Sequence, residues 1–524
     1  MNLQSGQQAG SVDDLAALLS DMNSAEAAAY KDANARAELL RGLVELRKQH
    51  RVSQKAVAEA MDTTQSAVSE LENTGIDPRI STLQRYARAL GKKLEFVVQR
   101  TDDAVTSEDI SSDVLPGVFE CGIGLVLKDL LRTQRAHGSR SADQIVRRTG
   151  LPEALVGRAV ARLSDNEWIH AVGNTPDRLP IVTLNADRAL VVGVSIRADQ
   201  VQGVITNLRA ETPVAVESAE LPSGEPATVV SAVTRLVSSL SSAVDDRSEI
   251  IGLGVELAGL IDRDLGIVRY APDLEPRSMR WRNYPLQAEL QAATGLRTVV
   301  ENDANALAVH EYLRHADVEE LAVVLISDQG VGGGLIFDGK VLRGRSGITG
   351  EIGHIEVDPN GYPCRHLRQH GCLETVASPT AITRQTKTRH LGQAAEQVRN
   401  GNEHATQAFH AAGAALGRVL TALTSITAPS LIVIYGRPEL TRKERFTSAR
   451  TFSNAVRDYL DVGWFTQFNH KTDVITRELE DTAGARGAAS VAVSHFLDRP
   501  LRWLSDPEAP AGQRFDANLL AKAP

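Results

Sequence analysis

The sequence predicts a multidomain protein in which two small helical modules precede a larger domain of mixed α/β structure. Its length of 524 residues is too great for one ordinary domain. The first third of the chain shows short helical segments between turns, and the pattern then changes to strands and helices in βαβ order. Because that order occurs twice, we expect two α/β lobes with a cleft between them.

The composition excludes several classes of protein. With 42% hydrophobic and 23% charged residues, it is typical of an ordinary globular chain. The sequence has neither an apolar stretch long enough to cross a bilayer nor the pattern of a signal peptide, so we expect a cytoplasmic protein with no membrane partner. Its three cysteines, Cys121, Cys364 and Cys372, are an odd and sparse set, which favours metal ligation over a disulfide framework.

The net charge of −9 would repel nucleic acid overall, but Lys and Arg outnumber Asp and Glu over residues 36–100 and 128–178. Local charge decides whether a segment can approach DNA. The predicted segments are a mobile arm (1–35), a helix-turn-helix domain (36–100), a linker (101–115), a winged helix-turn-helix domain (116–185), the α/β domain (186–498) and a C-terminal tail (499–524).

Within the first module, Ser53 is a predicted cap for a helix that begins at Gln54, and residues 61–63 form the turn. In the second helix, Val68 and Leu71 face the core, which leaves polar side chains on the outer face near the N-terminus. That end of the helix suits base-edge contacts in a major groove, although any soluble helix also has a polar face. The predicted DNA-contacting residues of this module are Gln54, Thr64, Gln65, Ser66 and Ser69.

The same segment resembles the phage-repressor (Cro-like) helix-turn-helix family over about sixty residues. The resemblance lies in Leu46-Arg47, Ser53-Gln54, Gln65-Ser66, Val68-Ser69, Leu71-Glu72, Thr82-Leu83 and Ala89-Leu90-Gly91. It implies binding to double-stranded DNA. One departure is Glu70, where that family often carries Arg or Lys, so a phosphate contact is lost there.

The second module shows helix signals of its own. Ser141 is a predicted cap for a helix over 142–148, and Gly150 ends it. Arg158 and Arg162 lie four apart on the next helix, where they would either contact phosphates or form a solvated face. The stretch resembles the N-terminal winged helix of ROK (repressor, open reading frame, kinase) repressors, and its junction reads Arg178-Leu179-Pro180 and then Val182-Thr183-Leu184-Asn185. The predicted DNA-contacting residues of this module are Arg158, Arg162 and Arg178.

Two residues of this second module depart from the family pattern. Leu155 and Gly157 stand where ROK repressors are expected to carry small hydroxyl residues, and neither side chain can hydrogen-bond to a base edge. We therefore expect sequence reading mainly in the first module.

In the α/β domain, Asn302, Asp303 and Asn305 lie at a strand-to-helix turn, which is where α/β lobes bind ligands. Carboxylates and amides there can bind neighbouring sugar hydroxyls, and Asp303 could deprotonate one of them, although Asn-Asp is also common in turns. Downstream, Glu351, His354 and Glu374 offer further acceptors in a glycine-bearing loop.

With the segment 258–262, which includes Gly259, these motifs resemble the ROK family over roughly 190–497. The resemblance implies a two-lobed actin-like (ribonuclease H-like) fold and a bound hexose or hexose derivative. The predicted sugar-binding residues are Gly259, Asn302, Asp303, Glu351, His354 and Glu374, and the aspartate matches the base of the family's kinases. Asp273 departs from the asparagine expected there, which leaves the identity of the sugar open.

ROK proteins usually ligate zinc through a histidine and three cysteines. Here the loop 364–372 is one residue longer and has histidine in the middle position, so His354, Cys364, His366 and Cys372 are the predicted ligands of a structural zinc ion. His370 is an alternative to His366. A metal-free loop with two reduced thiols is the other interpretation.

The phosphate-binding loops of ROK kinases are altered in this sequence. Residues 194–198 read Val-Ser-Ile-Arg-Ala where the kinases carry Asp-x-Gly-Gly-Thr, Asp328 and Gln329 replace Gly-Thr, and Tyr435-Gly436-Arg437 replaces a Gly-Gly turn. Only glycine lets the backbone approach phosphates that closely. We therefore expect no kinase activity, with Asp303 a relic base.

These patterns predict a sugar-responsive transcription regulator, expected to be a repressor of carbohydrate metabolism genes. Paired DNA half-sites predict a homodimer or homotetramer. A ROK sugar kinase with DNA-binding appendages is the alternative, and a relic assembly scaffold that binds no sugar is a third. The sequence does not name the sugar, the operator or the sign of the response.

Overall fold

The computed structural model describes residues 39–40, 43–48, 52–61, 63–73, 80–90, 116–133, 138–175, 180–244, 249–274, 280–328, 330–344, 347–461, 472–498 and 500. These residues belong to two compact units, one within residues 1–109 and one within 110–524. The predicted arm and linker, and the tail apart from residue 500, lie outside the described residues. In the part of the chain that is described, no helix is both long and apolar enough to span a bilayer.

The first unit is helical where it is described. Helical residues at 39–40 and 43–48 precede α1 (Gln54–Ala60), α2 (Gln65–Asn73) and α3 (Ile80–Ala89). Ser53 caps α1 as predicted, because its Oγ accepts the N–H of Ala56 at 3.1 Å. Val57, Val68, Leu83 and Tyr86 are buried in its core. The helix-turn-helix prediction for this segment is thus matched by two short helices on a shared core.

The second unit begins with a helix–sheet module, residues 116–184. Its helices are α4 (Pro116–Arg132), α5 (Ala142–Thr149) and α6 (Glu153–Asp165), and its strands are β1 (Ser139–Ser141), β2 (Ile169–Asn174) and β3 (Pro180–Leu184). The sheet is antiparallel in the order β1-β3-β2. Ser141 forms a capping box with Gln144, and Gly150 ends α5 with a positive φ of 68°, as predicted. Leu155 is buried, so it packs inside the module and does not lie on its outer face.

The first α/β lobe follows the module. Its strands are β4 (Leu190–Ile196), β5 (Gln200–Asn207), β6 (Pro213–Glu220), β7 (Ile250–Leu257), β8 (Leu260–Asp262), β9 (Ile267–Tyr270) and β10 (Thr298–Asn302), and its helices are α7 (Pro226–Ser242) and α8 (Leu286–Thr294). The main sheet has the order β10-β7-β4-β5-β6, with β4, β7 and β10 parallel. Both helices share a hydrophobic core with this sheet.

The second lobe repeats the plan. Its strands are β11 (Leu321–Ile326), β12 (Val331–Phe337), β13 (Lys340–Val341), β14 (Leu431–Gly436) and β15 (Asp473–Glu478). The order is β13-β12-β11-β14-β15, with β11, β14 and β15 parallel. Its helices are α10 (Glu374–Ala377), α11 (Pro379–Thr386), α12 (Leu391–Arg399), α13 (Glu403–Thr427), α14 (Pro438–Thr441) and α15 (Thr447–Leu460).

Two long helices join the parts of this unit. Helix α9 (Asp303–Arg314) and helix α16 (Ala483–Asp498) share one continuous hydrophobic cluster with the helix–sheet module and with both sheets. Helix α16 lies so close to the first sheet that a Cβ on Gly193 would come within 1.9 Å of the Ala485 carbonyl oxygen. Because the carboxyl ends of parallel strands meet at one edge of a sheet, the residues after β4, β7, β10, β11 and β14 face a common cleft.

Candidate functional site

The predicted sugar-binding turn between β10 and α9 is fixed by its own hydrogen bonds. Asn302 caps α9: its Oδ1 accepts the N–H of Asn305 at 3.2 Å, and its Nδ2 donates to the carbonyl of Gly259 at 3.1 Å. Gly259 has a φ of 146°, and an added Cβ would lie 2.4 Å from the Tyr270 oxygen. The turn is therefore a rigid support on which the carboxylate of Asp303 is presented to the cleft.

The Asp303 carboxylate is held in a poorly solvated place. Burial raises its pKa, the charge of Asp273 adds to the rise, and the Ala304 N–H and the Arg197 guanidinium oppose it. One carboxylate oxygen accepts the Ala304 N–H at 2.8 Å. A carboxylate with a raised pKa is a good acceptor for a sugar hydroxyl and is suited to act as a base.

Two more predicted carboxylates lie near Asp303. Burial, with the charges of Asp303 and Glu374 added, raises the pKa of Glu351 to about 7, although 40% of its side chain is exposed. Burial likewise raises the pKa of Glu374, the first residue of α10. Since the charges of both Asp303 and Glu374 act on Glu351, the structure brings the predicted acceptors of two distant sequence segments to one end of the cleft.

His354 lies between these carboxylates and the cysteines. Its Nε2 lies 3.9 Å from the Glu351 carboxylate, and its Nδ1 lies 3.6 Å from the sulfur of Cys364. The donor atoms of His354, Cys364 and Cys372 all lie within 4.8 Å of one another, and both thiols are buried. Two thiols and an imidazole are donors that zinc prefers, so these three residues fit a metal ion.

The fourth predicted ligand is placed differently. His366 lies with His354 and Glu374, and its Nδ1 is 3.9 Å from a Glu374 oxygen. Within the described residues, His366 therefore does not complete a four-atom group with both cysteines, although its backbone N–H donates to the Cys364 sulfur at 3.4 Å. His370 pairs with Pro363 in an isolated bridge and belongs to neither cluster of the described residues.

The sequence did not point to Arg365. Its guanidinium lies 3.6 Å from an Asp273 oxygen and 3.5 Å from a Glu374 oxygen, so the loop 364–372 contributes a positive charge beside the carboxylates. Asp273, which departs from the expected asparagine, is balanced by this arginine. The only sign of this role in the sequence is that Arg365, a charged residue, lies between the predicted ligands Cys364 and His366.

Towards the other end of the cleft, Asp303 also lines a cavity of about 460 Å³ whose walls come from both lobes. In it, Arg437 forms two hydrogen bonds with the Asp328 carboxylate, one of them 2.8 Å long from Nε. Glu256, which sequence reasoning also missed, is only 4% exposed, and burial together with the Asp303 charge raises its pKa to about 7. Two of the altered loop residues, Asp328 and Arg437, thus form an ion pair in this cavity, and the buried carboxyl of Glu256 lies in its wall.

The predicted DNA-contacting residues lie in less uniform settings. Thr64 and Gln65 are exposed, Ser69, Arg158 and Arg162 are half-buried, and the Gln54 amide donates to Glu72 at 3.0 Å. The side chain of Ser66 and all of Arg178 lie outside the described residues. The pairing of Gln54 with Glu72 ties it to the helical core, which leaves Thr64 and Gln65 as the most accessible members of the set.

Comparison with known proteins places these features in context. The model of the ROK family matches residues 191–495, and a helix-turn-helix model matches residues 43–97. The chain is 25% identical over 387 residues to a xylose repressor of Bacillus subtilis, covering 71% of this chain and 95% of the repressor. It is 32% identical over 282 residues to a glucokinase of Thermotoga maritima, covering 49% of this chain and 84% of the glucokinase.

A solved structure shares the fold of most of the chain. The crystal structure of a ROK family transcriptional regulator, a homolog of the E.coli MLC protein, superposes with a TM-score of 0.60 at 21% identity. It covers 74% of this chain and 99% of that protein. The predicted two-lobed actin-like architecture is thereby confirmed.

Proposed function

The chain belongs to the ROK family, and we propose that it is a DNA-binding transcriptional repressor of carbohydrate genes that a sugar controls. The observation that carries this proposal is the gathering of Asn302, Asp303, Glu351, His354 and Glu374 at one end of the cleft, in a chain that also has a helix-turn-helix unit. The B. subtilis relative, which matches over most of both chains, is a xylose repressor.

Sugar recognition in this proposal uses the acidic end of the cleft. Asp303, Glu351 and Glu374 accept hydrogen bonds from neighbouring hydroxyls, and charge-assisted bonds of this kind are the stronger ones. Because Nδ1 of His354 faces the Cys364 sulfur, Nε2 is left to face the hydroxyls beside Glu351. Gly259 and Asn302 hold the turn that presents Asp303.

A structural zinc ion would be held by His354, Cys364 and Cys372, with His366 as the fourth ligand after a rearrangement of its side chain. Zinc would cross-link the loop 364–372 to His354 and would supply no chemistry to the sugar. The loop also carries Arg365 and leads into Glu374, so its shape sets the position of two groups in the sugar site. His366 is preferred to His370 because its ring packs edge-on against His354, 5.3 Å between centroids.

Helix α9 is the proposed link from the sugar to the DNA-binding part. It has 12 residues, a length of about 18 Å, and it begins at Asp303. At its other end, Arg132 of the helix–sheet module donates to the Tyr312 hydroxyl at 2.9 Å and to the carbonyls of His315 and Val318 at 2.9 and 2.7 Å. A shift of the turn and α9 together as one body on sugar binding would therefore be passed to the module.

DNA contact is assigned to both N-terminal modules, with the helix–sheet module acting as a winged helix. Thr64 and Gln65 of α2 would enter the major groove, and Arg158 and Arg162 of α6 would contact phosphates. We propose a homodimer or homotetramer, because paired modules would match paired half-sites and a shift of the modules would change the half-site spacing.

Sugar kinase activity is the second candidate function, favoured by the match to the T. maritima glucokinase. Against it stands the Arg437–Asp328 ion pair in the cavity where a nucleotide would lie. Incubation with ATP and a panel of hexoses and pentoses separates the two functions. A sugar kinase would form phosphorylated sugar, and Asp303→Asn would abolish the product.

The repressor proposal is tested by selecting bound genomic DNA fragments with the full chain and then titrating candidate sugars against the best fragment. We expect one sugar to weaken or strengthen DNA binding by at least tenfold. A sugar that saturates the protein without changing its affinity for DNA would refute the control mechanism.

A further inference from the structure

A second polar cavity, of about 690 Å³, surrounds β15 at the edge of the second lobe's sheet. Its volume is in the range of small-molecule sites. Among the described residues, the cationic side chains that line it are Arg314, Arg442, Lys443, Arg457, Arg477 and Arg486, and the acidic ones are Glu444, Glu478 and Glu480. Neither the proposed sugar-binding residues nor the loop 364–372 contributes to this lining.

The positive charge of this cavity is only partly balanced. Glu478 pairs with Arg442, Glu480 pairs with Arg486 at 2.8 Å, and Glu311, behind the wall, pairs with Arg477 at 2.7 Å. Of the remaining lining groups, three are cations and one, Glu444, is an acid.

Two of those three cations contact neutral groups. Arg314 contacts the ring of His310 at 3.3 Å, where burial lowers the histidine pKa to about 3 and so keeps it neutral. Arg457 donates to the Val474 carbonyl at 3.3 Å. The cavity therefore has an excess of positive charge that a bound anion would neutralise.

Unpaired hydrogen-bond donors in the lining of this cavity indicate the kind of ligand that it would bind. The Nε groups of Arg314 and Arg486 and the hydroxyl of Ser453 are buried and have no hydrogen-bond partner among the described residues. Buried polar groups are nearly always paired, and an unpaired one is costly. One acceptor of the lining, Glu478 Oε2, is also without a hydrogen-bond partner, but it forms an ion pair with Arg442. The three donors remain, and a ligand with several acceptor oxygens would satisfy them.

We propose that this cavity binds a small, multiply charged anion that carries a phosphate group, at a site separate from the sugar site. Arginine binds phosphate oxygens through paired N–H groups, and the cavity offers arginines from α9, α15 and α16. A ligand at Arg314 would contact the end of α9 opposite Asp303. The site could therefore report a second metabolite to the same helix.

The test is calorimetric titration of the full chain with inorganic phosphate, compared with sodium chloride at equal ionic strength. We expect phosphate to bind and chloride to give no saturable heat. The double variant Lys443→Gln/Arg457→Gln alters two exposed side chains, so it should fold and should bind phosphate at least tenfold more weakly. Ser453→Ala should weaken binding about three- to tenfold, because one hydrogen bond to an anion is lost.

A matched control is Arg450→Gln, which removes the same charge from an exposed position of α15 that does not line the cavity. It should keep the affinity of the wild type. Thermal unfolding without phosphate supplies a second measurement, since Ser453→Ala removes an unpaired hydroxyl and should not lower the melting temperature. The proposal is overturned if phosphate gives no specific heat, or if Arg450→Gln weakens binding as much as the double variant.

Discussion

The two ends of the cleft differ in what their side chains offer to a ligand. At one end, Asp303, Glu351 and Glu374 present carboxylates with raised pKa values beside His354. At the other end, Arg437 is already paired with Asp328, and the wall contains the buried carboxyl of Glu256. One end offers carboxylate acceptors, whereas the other holds an ion pair and a buried carboxyl group.

This difference agrees with the proposed function. Under that proposal a sugar alone is bound and released by the acidic end, whereas group transfer would need both ends at once. Two of the remaining glycines are explained by packing: a Cβ on Gly334 would come within 2.2 Å of the Ala304 carbonyl oxygen, and one on Gly333 within 2.9 Å of the Gly350 carbonyl oxygen. These two glycines need no nucleotide to account for them.

Removal of a buried thiol should have the largest effect on the acidic end. In Cys372→Ser, we expect loss of bound zinc and a sugar affinity about 10- to 100-fold lower, because the loop that leads into Glu374 is no longer fixed. Metal analysis and sugar titration measure the two effects. The exposed Cys121 supplies the control variant Cys121→Ser. Unchanged zinc content and sugar affinity in Cys372→Ser would refute the metal proposal.

Neutralising the Asp303 carboxylate should have the second-largest effect, a loss of sugar affinity. Asp303→Asn should lower sugar affinity by about tenfold or more, since a hydrogen bond to a charged group contributes about 1.5–3 kcal/mol. Asp273→Asn is the matched control: it makes the same chemical change at a carboxylate that Arg365 already balances, so its effect should be smaller. Equal losses in both variants, measured by calorimetry, would remove the special role given to Asp303.

The pH dependence should come third. The pKa of Glu351 is about 7 in the folded protein, so the carboxylate form that accepts sugar hydroxyls gains population as the pH rises through 7. Affinity should therefore increase roughly tenfold between about pH 6 and pH 8, and Glu351→Gln should flatten the profile.

The raised pKa of Glu351 has the opposite effect on the stability of the folded protein. The folded protein holds this proton more tightly than the unfolded chain, so the contribution of Glu351 to stability is complete below about pH 4.5 and is lost as the pH rises toward 7. Sugar affinity and melting temperature should thus move in opposite directions across this range. A profile for Glu351→Gln as steep as that of the wild type would assign the titration to another group.

The smallest effect is expected for the Arg437–Asp328 ion pair at the other end of the cleft. Arg437 and Asp328 are about half exposed, so Arg437→Gln should change the free energy of unfolding by less than about 1 kcal/mol. It should not create ATP-dependent phosphorylation. Arg399→Gln breaks a comparably exposed ion pair with Glu396 on α12 and is the control for denaturant titration. Kinase activity in Arg437→Gln would show that one ion pair alone separates sensor from enzyme.

Local signals in the sequence were sufficient for the elements and for the main site motifs. Ser53, Ser141 and Gly150 act as predicted because a cap depends on residues three or four positions away. The predicted change to strands and helices in βαβ order is matched by the first lobe, whose sheet begins with β4 at Leu190. Asn302 and Asp303 were recognisable because a strand-to-helix turn is itself a local feature.

Contacts between residues that are far apart in sequence decided where the other side chains of the site lie. The sequence by itself determined the fold class and the positions of the candidate sugar-binding residues and the two loop cysteines along the chain, since motif and periodicity carry that information. Only the tertiary structure set His366 beside Glu374, Arg365 beside Asp273 and Arg132 against the end of α9. These positions follow from how loops and helices from separate segments pack, and no spacing along the chain encodes the direction in which such a side chain points.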